Sequence, residues 1–312
     1  GCMNALNRMA TELVDEAIEF ADELTVDVHQ LSGDSAVLDF GVETPGAVEA
    51  GLLLAEIQTA GLATVQTRVD EVAGAPLTHV ELATDQPALS LLCSAKAGWE
   101  LSAEDFEGLG SGPARALVAE EEIYDRVGYA EEFDFAVLAV ESETLPDRAV
   151  AEQVAQRAGV PESGVFLPSY ASASITGSVV GASRAAELAA YRLTELGYDP
   201  LDILSATGST PLTPVGEDES DAMANTNDAV AYGGQVHLVV EESFEHFDRI
   251  ASSASEEYGE PFHDIFESVA YDYSELSRDL FAPAQVTVDV VGGETHVAGE
   301  TDEEILAESF GL

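Results

Sequence analysis

One lysine, Lys96, occurs in 312 residues, and Lys plus Arg together number only 11 against 60 Asp plus Glu. A chain this poor in cations has no basic stripe to displace counterions from phosphates, which excludes nucleic acid as a partner. The same deficit excludes binding to anionic membrane surfaces. Two cysteines, Cys2 and Cys93, are too few for a disulfide framework. No uninterrupted apolar stretch approaches the roughly 20 residues of a membrane span. No signal peptide is legible in the first residues, so a cytoplasmic location is expected. The six histidines (His29, His79, His237, His246, His263, His296) are scattered without metal-ligand spacing, so no metal is expected. No Gly-x-Gly-x-x-Gly follows a strand pattern, and no Gly-x-Ser-x-Gly elbow is present.

What the chain does have is acid, spread between apolar runs. The formal net charge is −49, yet the hydrophobic fraction is 46 % and the charged fraction only 23 %. A disordered acidic tail would be apolar-poor. A folded protein with this charge repels itself in dilute buffer. In molar salt the Debye length falls to about 3 Å and most of that repulsion is screened. The composition therefore points to a folded protein of a halophilic cytoplasm, one that loosens at low salt.

Helical spacing of Leu6, Met9, Leu13, Ala17 and Ile18 predicts an amphipathic helix over 4–24. Strand patterns lie at 26–29, 36–40, 64–69, 79–84, 133–141 and 165–168, with helices at 46–58, 114–120 and 146–157. A helix of about 175–196 follows a small-residue loop. Further strands are read at 230–232 and 235–240, and a terminal hairpin at 286–291 and 295–297. Interleaved helices and strands give an α/β (α+β) class. The length suits two domains, placed at 1–115 and 116–312, with the C-terminal strands able to pack back on the first.

Three constellations carry possible chemistry. Arg184 and Glu187 are three apart and share a helix face. In a generic chain that is a surface ion pair. Here the preceding stretch 175–182 is uncharged and arginine is scarce, which favours a positioned base and its water. Ser111-Gly112-Pro113-Ala114-Arg115 pairs close backbone approach with a proline suited to a first helical turn, where free N–H groups attract anions. An ordinary loop-to-helix junction fits it equally well. Ala222-Met223-Ala224-Asn225-Thr226-Asn227-Asp228, between an acidic loop and a strand, reads first as a turn, and second as amide and carboxylate groups facing a heterocycle edge.

Taken in order, these segments resemble the methenyltetrahydromethanopterin cyclohydrolase family of one-carbon enzymes. The matching blocks are Ser94-Ala95-Lys96-Ala97-Gly98-Trp99, Gly110-Ser111-Gly112-Pro113-Ala114-Arg115 and Ser172-Ala173-Ser174-Ile175-Thr176-Gly177-Ser178. They continue through Arg184-x-x-Glu187, Thr226-Asn227-Asp228-Ala229, Tyr232-Gly233-Gly234 and Tyr258-Gly259-x-Pro261-Phe262. Leu280-Phe281-Ala282-Pro283-Ala284 and Ser309-Phe310-Gly311 close the series. Each block is weak alone; their joint order and spacing are specific. The chain departs from the family at Ala95, at Ala171–Ser174 and at Ser183-Arg184-Ala185-Ala186-Glu187.

The resemblance implies two mixed α/β domains enclosing a deep cleft, a homotrimer, and no metal or redox cofactor. The tetrahydromethanopterin-type carrier is itself the substrate. The implied reaction is reversible hydrolysis of the 5,10-methenyl form to the 5-formyl form. Folate in place of methanopterin, or a non-catalytic pterin-binding protein, are the alternatives. By the resemblance Glu187 is the base and proton shuttle, and Arg184 orients it through one oxygen. Lys96, Ser111, Arg115, Ser174, Asn227 and Asp228 are the implied substrate-binding residues.

Overall fold

A computed structural model describes residues 5–312, so Cys2 lies outside the described residues. The chain opens with α1 (Leu6–Glu19) and the short α2 (Ala21–Leu24), then β1 (Asp27–Gln30), β2 (Ala36–Gly41) and α3 (Val48–Gln58). A hairpin of β3 (Thr64–Val72) and β4 (Ala75–Thr84) precedes a π-type helix, Ala88–Ala95. A second hairpin follows, β5 (Ala97–Ala103) and β6 (Phe106–Ser111), then a 3₁₀ stretch Pro113–Leu117 and α4 (Glu122–Val127). Next come β7 (Ala136–Val137), β8 (Ala139–Ser142), α5 (Arg148–Ala158), β9 (Val165–Tyr170), α6 (Ile175–Ala182) and α7 (Ala185–Glu195). The chain continues through β10 (Ile203–Pro211), α8 (Glu219–Gly233), β11 (Gln235–Val240) and α9 (Phe262–Ser268). It closes with β12 (Gln285–Val290), β13 (Thr295–Gly299) and α10 (Glu303–Phe310).

The chain forms two compact units, and neither is continuous in sequence. Among the described residues, 5–64 and 88–180 make one; residues 65–87 and 181–312 make the other. This differs from the expected cut at residue 115. Residues 116–180 belong with the N-terminal segment because β8 and β9 complete its sheet, in the order β1-β2-β9-β8-β6-β5, with β7 also on β9. Within that sheet β2 and β8 run parallel to β9. The β3–β4 hairpin leaves the first unit because β4 pairs antiparallel with β10. The second sheet runs β13-β12-β11-β10-β4-β3.

In the first unit, α1 buries Leu6, Ala10, Val14 and Ala17, an i, i+4, i+8, i+11 stripe, against Leu38, Phe40 and Leu54. A second core gathers Trp99, Leu101, Val150, Val154 and Leu167. In the second unit, Ala229 and Tyr232 of α8 pack with Phe262 and Phe266 of α9 and Leu306 of α10.

Two sequence expectations change here. The segment read as a turn and a strand, 222–232, lies inside α8. Asn and Asp favour turns in isolation, but Asp218 caps this helix by accepting Asp221 N–H at 2.8 Å. Burial of Ala224, Ala229 and Tyr232 then outweighs local propensity. The long helix expected over 175–196 is two helices. Glycines at 177 and 181 weaken the helical run, and the chain turns at Ser183-Arg184 before α7 begins.

Candidate functional site

Glu187 sits in the first turn of α7, with Arg184 at the N-cap position. The turn is held low over the second sheet by small residues. A Cβ on Gly208 of β10 would lie 3.0 Å from the Ala186 backbone nitrogen and 3.3 Å from its Cβ, so only glycine lets α7 settle there undisturbed. On the other side, Gly181 packs on Thr226 of α8. Glu187 is thereby buried, while 43 % of the Arg184 side chain is exposed. Arg184 Nη2 donates to Glu187 Oε2 at 3.0 Å. The arginine holds one carboxylate oxygen, the arrangement that leaves the other for a water. A buried carboxylate beside a solvent-reaching guanidinium can accept and return a proton while staying oriented.

Lys96 lies in the other unit, at the end of the π-type helix. Its backbone N–H closes an i→i+5 bond to Leu91 O at 2.9 Å, and its half-buried side chain donates to Ala97 O at 3.3 Å. Ser111 pairs with Ala97 across β5 and β6 and is linked through Gln58 to Ser94. Gln58 Nε2 donates to Ser111 Oγ at 2.9 Å, and Ser94 Oγ donates to Gln58 O at 2.6 Å.

Arg115 is fully buried, and its donors go to protein: Nη1 to Ser94 O, Nη2 to Leu92 O and Nε to Glu121 Oε1. It stands in a 3₁₀ stretch rather than in the α-helix expected over 114–120. The guanidinium also lies 5.8 Å from the centre of the Tyr124 ring. Cys93, in the same wall, has its thiol pushed up to about 12 by burial, so it is an inert core residue.

The remaining expected binding residues are also engaged. Ser174 caps α6: its hydroxyl accepts Gly177 N–H at 2.9 Å and donates to Ala171 O at 2.7 Å. Asn227 Nδ2 bonds Met223 O within α8. Asp228 is buried, with Oδ1 accepting Phe262 N–H at 2.8 Å and Oδ2 accepting the Ser309 hydroxyl at 2.6 Å. It ties α8 to α9 and α10. Desolvation pushes its carboxyl up to about 6, against the opposing pull of those two hydrogen bonds.

Sequence spacing gave no sign of one further group. Pairing of β1 with β2 sets Asp27 opposite Asp39, and Asp27, His29 and Asp39 offer ligand atoms within 4.8 Å of one another. Asp39 spends both oxygens on the backbone N–H groups of Gly41, Val42, Glu43 and Thr44, which makes it the cap of that loop. Gln58, Glu121 and Tyr124 also escaped the sequence reading. Gln58 and Tyr124 act through partners 53 and 31 residues away, and Glu121 pairs with Arg115 across a turn whose shape no local pattern marks.

The sequence model of the cyclohydrolase (MCH) family matches residues 5–310. The chain belongs to this family. It is 55 % identical over 310 residues to a protein of Halobacterium salinarum named methenyltetrahydromethanopterin cyclohydrolase, covering 99 % of this chain and 100 % of that one. A protein of the same name from Methanocella arvoryzae is 38 % identical over 320 residues, covering 99 % of each chain. One from Methanothermobacter marburgensis is also 38 % identical over 320 residues, covering 99 % of this chain and all of its own. Cyclohydrolase family membership thus spans both units. Among the described residues no helix is long and apolar enough to cross a membrane.

Proposed function

We propose that this family member is a methenyltetrahydromethanopterin cyclohydrolase, reversibly hydrolysing the 5,10-methenyl form of the carrier to the 5-formyl form. The observation that carries the reading is the buried Glu187, held through one oxygen by Arg184, in a chain that matches named cyclohydrolases end to end.

The substrate's methenyl carbon lies between two nitrogens as an amidinium-like cation. Water adds to that carbon and gives one proton to Glu187. The hydroxyl adduct then collapses. The bond to one nitrogen breaks, the adduct's hydroxyl proton ends on that leaving nitrogen, and the formyl group stays on nitrogen 5. One proton is released overall. A carboxylate near a cation also stabilises the bound substrate, so the rate gain comes from orientation and proton transfer rather than attraction alone. Arg184 orients the carboxylate, and Lys96 anchors electronegative groups of the carrier. Ser111, Arg115, Ser174, Asn227 and Asp228 support the fold around these groups through the bonds described above. The working form is a cytoplasmic homotrimer in molar salt that needs neither metal nor redox cofactor.

The test follows loss of the methenyl chromophore in molar KCl, with tetrahydromethanopterin and tetrahydrofolate substrates in parallel. Rapid loss with the methanopterin form is expected. Loss with the folate form alone would reassign the carrier, and loss with neither would leave a pterin-binding protein. Sedimentation of the same sample checks the trimer.

A further inference from the structure

The last carbonyls of a helix need partners from outside it. The four carbonyls ahead of Ala95 and Lys96 all have one. Leu91 O takes Lys96 N–H at 2.9 Å and Cys93 O takes the Tyr124 hydroxyl at 2.7 Å. Leu92 O takes Arg115 Nη2 at 3.3 Å. Ser94 O takes both Gly112 N–H at 2.8 Å and Arg115 Nη1 at 2.9 Å. Arg115 alone thus grips two carbonyls of the turn that ends in Lys96. Its third contact is Glu121 Oε1, at 2.9 Å from both Nε and Nη2. Beyond the lysine, Gly98 crosses directly over this ion pair. A Cβ there would sit 2.7 Å from Arg115 Nε and overlap Glu121 Oε1. The same pair therefore bonds the backbone before the chain's one lysine and packs against the backbone after it.

We infer that Arg115 is a positioning residue for Lys96, with Glu121 as its counter-ion, and that it does not itself touch the substrate. This rests on the reading of Lys96 as a substrate anchor. A buried charge is no economical filler: an apolar side chain of similar volume is often as stable or more so. The planar guanidinium fork can meet two carbonyls and a carboxylate at once, which an ammonium group cannot. Lysine carries large side-chain freedom, so a fixed backbone beneath it lowers the cost of ordering it on substrate.

The test compares Lys96→Ala, Arg115→Lys and the double variant in the methenyl hydrolysis assay at molar salt, with melting curves alongside. Arg115→Lys is expected to raise KM about fivefold or more while kcat stays within about twofold. In the double variant KM should match that of Lys96→Ala within about twofold, because Arg115 acts through the lysine. Glu121→Gln keeps the accepting oxygen and should retain most of the wild-type KM. Should Arg115→Lys fail to fold, Gly98→Ala presses on the same ion pair and should give the same rise in KM at unchanged kcat. A wild-type KM in the folded Arg115 or Gly98 variant would overturn the inference. So would KM effects of Lys96→Ala and Arg115→Lys that multiply in the double variant, while leaving Lys96 as anchor. An unchanged KM in Lys96→Ala would remove the anchor reading and this inference together.

Discussion

Arg115 and Arg184, one in each unit, occupy opposite surroundings. Arg115 is wholly buried and bonds two backbone carbonyls and one carboxylate. Arg184 keeps 43 % of its side chain exposed and reaches Glu187 through one nitrogen. The first arrangement has little slack: moving the guanidinium takes the stated partner from Leu92 O and Glu121 and leaves Ser94 O with Gly112 N–H alone. The second leaves room for water and for a change in geometry during proton transfer. In a chain with 11 basic residues, the difference separates an arginine that builds the frame from one that orients a reacting group.

Three substitutions sharpen or break this contrast. Arg115→Met should have the largest effect on stability, since removing one partner of a buried ion pair costs about 3–5 kcal/mol. The low end is expected because Glu121 retains 27 % exposure. Chemical denaturation at molar salt measures it, and a change near zero would dissolve the contrast.

Asp228→Asn comes next, and its effect depends on pH. Burial raises the Asp228 carboxyl to about 6 in the folded state from its ordinary 3.8. The native state therefore binds more protons than the unfolded state between those values. This group's contribution is fully present below about pH 4 and is lost as pH rises through 6, on the order of 3 kcal/mol in all. The asparagine variant lacks that slope, so the stability difference between it and wild type should change across pH 4–6. A constant difference would contradict the account of Asp228 as a buried tie.

Arg184→Ala should be the mildest for stability, about 1–2 kcal/mol: Glu187 is buried and loses a partner, but 43 % of the arginine side chain is exposed, so water can take its place. Its kcat should nonetheless fall about tenfold or more, as an unoriented carboxylate loses alignment with its water. A loss of stability with intact kcat would place Arg184 with Arg115 as a frame residue.

Much of the fold was legible from periodicity. The helix at α1 and the terminal hairpin β12–β13 follow from side-chain spacing, but the face of α1 was read only in part: Leu6 and Ala17 are buried as expected, Ala10 and Val14 complete the stripe, and Ile18 is exposed. Two errors have one cause. The polar run Ala222–Asp228 and the uncharged run ahead of Arg184 were judged without their packing, which makes the first a helix and, together with the glycines at 177 and 181, ends the second before α7. Tyr232 and Ala229 hold α8 as a helix against Phe262, and Gly208 admits the first turn of a separate α7. The division into units was hidden because β4 finds its partner, β10, more than a hundred residues later. Arg184 with Glu187 was legible because both residues lie within one turn. The hydrogen bonds of Arg115, Ser174 and Asp228 were not, since the carbonyls, N–H groups and hydroxyls that pair with them come together only in the folded chain.

The central claim is that Glu187 moves the proton. Glu187→Gln, assayed by loss of the methenyl chromophore in molar KCl, tests it most directly. The account predicts a fold and melting temperature like wild type, substrate binding retained, and kcat reduced by about 10²–10⁴. A folded Glu187→Gln protein that turns over at near the wild-type rate would contradict it.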